Sequence, residues 1–464
     1  MSGRVAAVGV CVILKVGVSL SADDWSQWRG IDRHGVWQET GVVDTLPDQL
    51  KVTWRVPINS GYSGPAVAAG RVFVTDWVED PQSRTLDGTE RVLALDERTG
   101  EVLWTHEWST SYRMLQASYA IGPRATPTVD GDRVYVVGAT GLLFCLDVEF
   151  GKVIWRKDFV EDYGTSVPTW GITSAPLVEN HLLIAMVGGE RGALVVAFDK
   201  RTGAESWRAI DAGGALGYSQ PIVYEAGGVR QLIVWYPAAL VSLDPNTGDV
   251  YWNHAWEVGV GMSVATPVKS GDYLLVSQFI YGSMMMRLDR DRPRATMLWK
   301  GQGRSALPDR TDGLHAMITT PLVIGDYVYG VCSYGELRAL DAQTGERRWM
   351  SSDMTAQTRW GTAFLVRHGD RYFVNNDDGF LMTAQFTPTG YIELSRTRLI
   401  EPTGRSDRGR QVSRYLQRRD VGQHPRTSYD RPVNWTHPAY ANRHIVHRND
   451  REIIRASLAA ADYR

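Results

Sequence analysis

One pattern of eleven residues recurs along the chain and constrains the fold more than any other feature. The clearest copies are Ala94–Trp104, which reads A-L-D-E-R-T-G-E-V-L-W, and Ala339–Trp349, which reads A-L-D-A-Q-T-G-E-R-R-W. Looser copies end at Trp155, Trp207 and Trp252, and a sixth, Arg287–Trp299, is longer and lacks the Thr-Gly pair. Recurrence of this kind indicates a repeat architecture, in which each unit buries its apolar face only against its neighbours.

Each repeat is predicted to contain four short β-strands. The first carries a proline and a β-branched residue, as in Thr126–Val129, and the second is rich in β-branched and aromatic residues, as in Arg133–Val137. The third is the L-x-A-L-D segment, and the fourth ends in tryptophan. Alternation with a period of two between Gly, Asp and Asn turns is typical of strands. The D-x-x-T-G segment predicts a tight hairpin, in which the Asp side chain binds turn amides and the Gly adopts a positive φ.

The number of strand segments predicts a closed ring. Eight first strands are expected to begin near Gly64, Ala125, Ser174, Ser219, Ala265, Thr319, Gly361 and Thr436. A fourth-strand segment, Val52–Val56, precedes all of them, and the last repeat, Thr436–Ala460, has only three strands. Pairing of the leading strand with the trailing three would close the ring and cover its sheet edges. We therefore predict an all-β, eight-bladed β-propeller with four antiparallel strands per blade, a single domain over residues 51–460.

The tryptophans that end the fourth strands are predicted to pack one blade against the next. They are Trp54, Trp104, Trp155, Trp207, Trp252, Trp299 and Trp349. A buried tryptophan covers roughly 150–250 Å². At about 25 cal/mol per Å² of apolar surface, each burial is worth several kcal/mol at most.

The segments outside the repeats carry separate predictions. Residues 1–22 combine Arg4, an apolar run and small residues before Asp23, which is typical of a secretory signal peptide, although an unfolded tail is an alternative. Residues 23–50 are predicted to form an N-terminal arm and residues 461–464 a tail. No other run approaches 18 apolar residues, so no further membrane span is expected. Cys145 and Cys332 fall in strand segments and are expected to be free core thiols.

A basic insertion interrupts the pattern between the seventh and eighth repeats. Residues 404–431 contain eight Arg and three Asp, with no Lys or Glu. Such a loop could meet phosphate, anionic lipid or an acidic protein, but a solvated insertion without a partner is the simpler interpretation.

The loop before each first strand carries a large side chain, and these loops should meet at one mouth of the central channel. The residues are Tyr62, Tyr119, Trp170, Tyr218, Met262, His315, Trp360 and Trp435, with Arg124 and Arg359 among them. A concave aromatic site with a few polar groups is the usual form of a ligand pocket, although these residues could instead plug the channel. His437, Arg448 and Asp450 of the closing repeat are further candidate ligand-binding residues.

Catalytic motifs are not found in the sequence. There is no H-E-x-x-H, no G-x-x-x-x-G-K-[ST] and no G-x-S-x-G. His444 and His447 lie three apart in a predicted strand, on opposite faces, and so should not share a metal. The best cluster of oxygen ligands, Asn375–Asp378, is better interpreted as a polar turn than as a calcium site, which needs six to eight oxygens. No catalytic and no metal-ligating residue is predicted.

These repeats resemble the pyrroloquinoline-quinone-like (quinoprotein-like) propeller family, whose tryptophan-docking motif is A-x-D-x-x-T-G-x-x-x-W. Three stretches are similar to a secreted branch of that family abundant in planctomycete-type bacteria: the segment from Trp25 to Gly35, Asp312–Leu337, and His437–Asp450. Two groups related in fold imply different functions. The quinoprotein alcohol dehydrogenases imply pyrroloquinoline quinone with Ca²⁺ and an adjacent cysteine pair, which this chain lacks. The propeller lipoprotein of outer-membrane assembly implies a non-enzymatic role.

The sequence therefore favours a secreted or periplasmic, non-catalytic binding or scaffold protein. We expect a monomer that engages an envelope or extracellular protein, a peptide or a small ligand at the aromatic mouth, with no cofactor and no nucleic acid. The alternative is an oxidoreductase dependent on pyrroloquinoline quinone and Ca²⁺, with an atypical site. Carbohydrate binding by the aromatic ring is a third hypothesis.

Overall fold

The computed structural model describes residues 24–116, 121–213, 216–405 and 431–464. Eight four-stranded antiparallel sheets follow one another along the chain, and a separate two-stranded sheet lies between the last two. The predicted all-β, eight-bladed propeller is confirmed. The predicted signal peptide and most of the basic insertion lie outside the described residues.

Each of blades 1 to 4 runs from its first strand to its fourth in chain order. Strand β1, Val52–Pro57, precedes them. Blade 1 contains β2–β5 at Ala66–Ala68, Arg71–Glu79, Asp87–Asp96 and Val102–Ser111. Blade 2 contains β6–β9 at Thr128–Asp130, Arg133–Val137, Leu142–Asp147 and Val153–Asp158. Blade 3 contains β10–β13 at Leu177–Glu179, Leu182–Met186, Val195–Asp199 and Glu205–Ala209, and blade 4 contains β14–β17 at Ile222–Ala226, Val229–Tyr236, Ala239–Leu243 and Val250–Ala255.

Blades 5 to 8 repeat this order, with the two-stranded sheet placed before the last of them. Blade 5 contains β18–β21 at Val268–Ser270, Tyr273–Gln278, Gly282–Leu288 and Ala295–Lys300. Blade 6 contains β22–β25 at Leu322–Ile324, Tyr327–Val331, Leu337–Asp341 and Arg347–Ser351, and blade 7 contains β26–β29 at Ala363–His368, Arg371–Asn376, Phe380–Thr387 and Gly390–Arg398. Strands β30, Gly404–Arg405, and β31, Pro432–Val433, pair with each other where the basic insertion leaves and rejoins the fold. Blade 8 contains β32–β34 at Ala439–Ala441, His444–Arg448 and Glu452–Ser457.

Little of the described chain is helical. One α-helix, Phe159–Tyr163, and 3-10 turns at Gly259–Gly261, Pro308–Arg310 and Ala460–Tyr463 connect or follow the strands. Within the described residues, no helix has the length and apolarity needed to cross a bilayer.

The ring closes through the two ends of the repeat region. Strand β1 supplies the fourth strand of blade 8, in the order β1-β34-β33-β32, with Trp54 opposite Arg455. Strand β1, which precedes blade 1 in the chain, therefore completes blade 8 with β32–β34, as predicted. Closure pairs β34, whose edge would otherwise offer unpaired backbone groups to other chains.

The D-x-x-T-G hairpins form as the sequence predicts. In blade 1, Asp96 Oδ1 accepts hydrogen bonds from the amides of Arg98 at 3.0 Å and Thr99 at 2.8 Å, and from Thr99 Oγ1 at 3.0 Å. Gly100 has φ +76°. The same carboxylate-to-amide bonds recur at Asp147, Asp199 and Asp341. Each hairpin presents a flat glycine surface toward the preceding blade.

The indole of one blade packs on the hairpin of the next. Trp104 Nε1 donates to the Val148 carbonyl at 2.9 Å, and a Cβ on Gly151 would lie 2.5 Å from the Trp104 ring. Only glycine leaves room for this contact. Equivalent bonds to the next blade's backbone are made by Trp54, Trp155, Trp299 and Trp349.

Three junctions depart from this arrangement, and at the one between blades 7 and 8 the fourth strand, β29, contains no tryptophan. The ring of Trp207 lies against Gly248, but its buried Nε1 has no hydrogen-bond partner among the described residues. Trp252 donates instead to Gln231 Oε1 of its own blade at 2.8 Å, where the next hairpin is the one that lost its Thr-Gly pair.

The N-terminal arm crosses the channel and contacts most blades. Trp25 exchanges backbone hydrogen bonds with Val67 of blade 1, and the Trp28 indole donates to Thr266 Oγ1 of blade 5 at 3.3 Å. Arg33, fully buried, donates to the backbone carbonyls of Pro176 in blade 3 and Pro221 in blade 4. The arm is therefore part of the folded domain and fills one end of the channel.

Among the residues that the structure describes, Cys145 and Cys332 are free and buried, as predicted. Cys145 lies within β8, and Cys332 lies immediately after β23 rather than inside it.

Candidate functional site

A cavity of about 360 Å³ opens where the loops before the first strands meet. Its lining side chains are Tyr62, Arg124, Trp170, Thr173, Tyr218, Met262, Val264, Phe279, Met317, Ile318, Arg359, Trp360 and Trp435. The structure thus brings together seven sequence candidates, Tyr62, Arg124, Trp170, Tyr218, Arg359, Trp360 and Trp435, and also Met262. Tyr119 lies outside the described residues. We call this cavity the mouth.

Three pairs of aromatic rings form most of the wall of the mouth. Tyr62 and Trp435 stack at 6.3 Å between centroids. Trp170 and Tyr218 meet edge to face at 5.8 Å, and Phe279 and Trp360 do so at 5.4 Å. Phe279 was missed from the sequence because it lies in the turn between the second and third strands of blade 5, not in a loop before a first strand.

Both arginines of the mouth lie over aromatic faces. The Arg124 guanidinium is 5.7 Å from the Tyr62 ring centroid, and that of Arg359 is 4.6 Å from the Trp360 ring centroid. Both distances are within the range of cation–π interactions. The mouth therefore combines apolar surface with positive charge.

His315 lies behind the wall and does not line the mouth. Its Nδ1 is 3.0 Å from the Phe279 carbonyl oxygen, and burial lowers its pKa to about 4. A neutral ring that donates through Nδ1 holds the Phe279 turn in place. His315 is therefore a positioning residue for one wall side chain.

Arg448 and Asp450 also lie behind the wall. Arg448 is fully buried and donates to the carbonyls of Thr75 and Asn59, and Asp450 Oδ1 accepts from the Gly61 amide at 3.5 Å. These bonds tie the closing blade to the loop that ends in Tyr62. The two residues fix the position of a wall residue without reaching the cavity themselves.

His437 is half-buried in the loop before β32 and does not line the mouth. Its ring lies 3.8 Å from the Trp28 ring and 3.9 Å from the Phe364 ring, between centroids, and burial holds its pKa well below the usual range. Because His437 follows Trp435 by two residues, this contact brings the N-terminal arm to the loop that carries Trp435.

Asp377 lies at the edge of the mouth, in the cluster interpreted from sequence as a polar turn. Strand β27 ends with Asn375 and Asn376, and the turn that follows contains Asp377 and Asp378. This is the polar turn that the sequence favoured. Asp377 is fully buried, pairs with Arg431 and accepts from Trp435 Nε1 at 3.3 Å. Burial raises its pKa to about 6, against the opposing effect of Arg431. This carboxylate supports Trp435 and anchors the end of the basic insertion beside the mouth.

A second buried carboxylate, Glu90, lies behind Arg124. It accepts hydrogen bonds from Trp108 Nε1 at 2.8 Å, from the Ala139 amide at 3.0 Å and from the Tyr112 hydroxyl. Burial raises the pKa of Glu90. Sequence reasoning missed Glu90 and Tyr112, because Glu90 lies within the long strand β4 and Tyr112 directly follows the long strand β5, away from any recognised motif.

The larger grooves of the molecule lie on the other face. One of about 960 Å³ runs along the hairpins of blade 5 and is lined by charged turn residues such as Asp272, Asp289 and Arg290. Ligand pockets are lined mainly by apolar and aromatic side chains with a few polar groups, and the mouth has this composition whereas the groove does not. The mouth is therefore the stronger candidate site.

The mouth does not match the donor set of a calcium-dependent quinone site. Calcium takes six to eight oxygens, mainly from carboxylates and amides. The lining side chains of the mouth, in the described part of the chain, contain no carboxylate and no amide. Nor do the described residues include a group of three or more His, Cys, Asp and Glu placed to hold a metal ion.

The chain is similar in sequence to two kinds of known protein. A family model described as outer membrane protein assembly factor BamB matches residues 42–118 and 88–351. BamB of Yersinia pestis is 26% identical over 293 residues, which is 59% of this chain and 68% of that protein. Quinohemoprotein alcohol dehydrogenase ADH IIB of Pseudomonas putida is 29% identical over 167 residues, which is 35% of this chain but 21% of the enzyme. The solved quinohemoprotein alcohol dehydrogenase of Comamonas testosteroni has a TM-score of 0.55 at 14% identity, covering 94% of this chain and 80% of that one, and shows the fold alone.

Proposed function

Because the chain belongs to the family of the outer membrane protein assembly factor BamB, we propose that it is a non-catalytic binding propeller of the cell envelope. In this proposal the protein is exported to the periplasm or beyond, and its mouth engages a ligand or a segment of a partner protein. The observation that carries the proposal is the composition of the mouth: six aromatic side chains and two arginines.

The same composition argues against catalysis at the mouth. Oxidation of an alcohol needs a general base within hydrogen-bond reach of the reacting hydroxyl. Among the described lining residues there is no carboxylate and no histidine, and His315 is turned toward a backbone carbonyl behind the wall. We therefore propose that the protein works without pyrroloquinoline quinone and Ca²⁺, and without turnover.

Photo-cross-linking from the mouth tests the binding role. A photoreactive amino acid in place of Trp360 or Trp170 is expected to form discrete adducts in cells that produce the protein. The matched control is the same amino acid in place of Phe150, an exposed apolar residue on a hairpin of the other face. Adducts at Phe150 as abundant as those at Trp360 would contradict the proposal.

Reconstitution tests the alternative that the protein is an enzyme, which its similarity to quinohemoprotein alcohol dehydrogenases suggests. Purified protein would be mixed with the quinone and Ca²⁺ and assayed with alcohols and an artificial electron acceptor. We expect no turnover. Reduction of the acceptor that depends on both the quinone and the protein would establish an oxidoreductase instead.

A further inference from the structure

We propose that the mouth binds an aromatic ring that has a carbonyl oxygen beside it. This inference rests on the proposed binding function and specifies its ligand. Its basis is an apolar wall that suits a ring, together with two hydrogen-bond donors of that wall, on Trp170 and Tyr218, that have no acceptor in the described part of the chain.

The apolar side of the mouth is a single cluster of side chains. Tyr218, Met262 and Phe279 are its buried members, and partly exposed side chains such as Trp170 and Met317 pack against them. The exposed part of these side chains still contacts water, and a ligand that covers it gains free energy in proportion to the apolar area removed from water. The cluster is therefore a surface that an apolar ligand would complete.

The composition of this cluster favours an aromatic ligand over an aliphatic one. Trp170 and Tyr218 meet edge to face, at 5.8 Å between centroids, and so present both a ring face and a ring edge to a further ring. The thioethers of Met262 and Met317 are polarizable groups of the kind that make favourable contacts with aromatic rings. The volume of the mouth, about 360 Å³, is near the lower end of the range for ligand pockets and suits one ring system with a short substituent.

Tyr218 supplies a hydrogen-bond donor to the wall. Its hydroxyl oxygen accepts a long hydrogen bond, 3.4 Å, from the main-chain amide of Trp170. Burial raises the pKa of Tyr218, so the hydroxyl keeps its proton at neutral pH. Among the residues that the structure describes, no acceptor takes that proton. A buried hydroxyl that does not donate has lost a hydrogen bond that it would make in water, and a ligand acceptor would restore it.

The Trp170 indole supplies a second donor. Trp170 is partly exposed, and its Nε1 has no acceptor within the described segments. The indole of Trp435, by contrast, already donates to Asp377. A carbonyl oxygen has two lone pairs and accepts from either an N–H or an O–H group. A ring with a carbonyl oxygen beside it therefore brings both the apolar surface and the acceptor that this part of the wall lacks.

Other ligand classes match the mouth less well. An ammonium group can bind over ring faces, but it brings no acceptor for the donors of Trp170 and Tyr218. A sugar brings several hydroxyl groups that need acceptors as well as donors. Among the described lining side chains there is no carboxylate and no amide to accept from them.

Calorimetric titration with three matched probes tests the inference. N-acetyltryptophanamide joins an indole ring to carbonyl oxygens, skatole keeps the ring with only a methyl group, and tryptamine carries an ammonium group instead of a carbonyl. We expect N-acetyltryptophanamide to bind at least about fivefold more tightly than either of the others, which is the value of one neutral hydrogen bond.

A further probe separates the two sources of this chemistry, which are a free aromatic amide and an aromatic residue within a polypeptide. It is a pentapeptide, blocked at both ends, with tryptophan at its centre. Tighter binding of the pentapeptide than of N-acetyltryptophanamide would identify a polypeptide as the source. Equal or weaker binding would identify a small aromatic amide.

Variants assign the preference to the wall donors. Tyr218→Phe keeps the ring and removes the hydroxyl, so it should weaken binding of N-acetyltryptophanamide about fivefold and leave binding of skatole unchanged. The matched control is Tyr251→Phe, which removes a hydroxyl that donates to Asp244 Oδ2 at 2.8 Å beside the hairpin of blade 4, and it should change neither. If Tyr218→Phe does not fold, Trp170→Phe carries the test, because it removes the indole N–H and keeps a ring.

Four results would overturn the inference. They are equal binding of N-acetyltryptophanamide and skatole to the wild-type protein, tightest binding of tryptamine, an equal loss for both indole probes in Tyr218→Phe, and no binding of any probe at millimolar concentration. The proposed function has its own test, since cross-links from Trp360 together with any of these results would preserve a binding propeller and remove only this ligand class.

Discussion

The junction between blades 1 and 2 and the closing junction between blades 8 and 1 are held by different chemistry. Between blades 1 and 2, an indole packs on a glycine hairpin and donates one hydrogen bond, from Trp104 to Val148. At the closing junction, Trp54 makes the same contact, but a buried ion pair joins it, with Arg455 Nη2 at 3.2 Å from Glu97 Oε1. Blade 8 also buries Arg448 and His447.

The difference follows from what each junction has to specify. A regular junction joins consecutive repeats, and the chain connection already brings the correct partners together. The closing junction joins residues from opposite ends of the chain, such as Glu97 and Arg455. Buried charges tolerate few alternative partners, because an unpaired buried charge is costly. We interpret the ionic groups as the means by which the last blade recognises the first.

The largest effect is expected at a regular junction. Trp104→Ala would leave a cavity against Gly151 and lower the free energy of unfolding by about 3–5 kcal/mol. Because the contact is apolar, the loss should be the same at pH 5 and pH 8. Trp252→Ala is the matched comparison and should cost less, since Trp252 bonds within its own blade. Chemical denaturation measures the free energy of unfolding of both variants. Equal losses would show that packing on the glycine hairpin does not add to stability.

The ion pair of the closing junction should contribute somewhat less. Glu97→Gln keeps the shape of the side chain but leaves Arg455 without its counter-charge, which should cost about 2–3 kcal/mol. Arg348→Gln, which breaks an exposed pair with Asp341, should cost under about 1 kcal/mol. A loss at Glu97 no greater than that at Arg348 would refute the proposed role of buried charge at closure.

Acid should loosen the closing blade before the others. Burial lowers the pKa of His444 to about 4 and that of His447 to about 3. In the unfolded chain these histidines bind protons below about pH 6.5, whereas in the folded protein they stay neutral down to about pH 4. Their contribution to stability is therefore complete above pH 6.5 and is lost as pH falls toward 4. We expect hydrogen exchange in β32–β34, corrected for its intrinsic pH dependence, to accelerate by at least about tenfold between pH 7 and pH 4.5.

Blade 3 is the internal reference for that measurement, because its histidine, His181, is exposed. Replacement of His447 by Gln should flatten the pH response of blade 8, whereas replacement of His181 by Gln should not. An equal response of blades 3 and 8 to acid would contradict the prediction.

The smallest effect is expected at the mouth. Trp360 is only partly buried, and its ring borders the cavity, so Trp360→Ala should change the free energy of unfolding by less than about 1 kcal/mol. Binding should fall at the same time if the mouth is the site. A loss of stability as large as that of Trp104→Ala would mean that Trp360 supports the fold rather than a ligand.

Sequence alone predicted the propeller because the repeat shows both the strand pattern and the hairpin. It also predicted most of the wall of the mouth, since one loop position per blade faces the axis. It placed His437, Arg448 and Asp450 at the mouth as well, because they lie near Trp435 along the chain. The structure places them behind the wall, where a strand or turn directs them toward the neighbouring blade. Such directions depend on contacts between distant segments, such as Arg448 with Asn59, which a single sequence does not reveal.

The arm that closes the far end of the channel has a consequence for biosynthesis. Residues 24–37 precede every blade, yet their partners include Pro221, Thr266 and the Arg367 carbonyl, which are translated much later. Synthesis proceeds from the N-terminus at about 5–20 residues per second. Residues 24–37 therefore cannot complete these contacts until more than three hundred further residues have been synthesised.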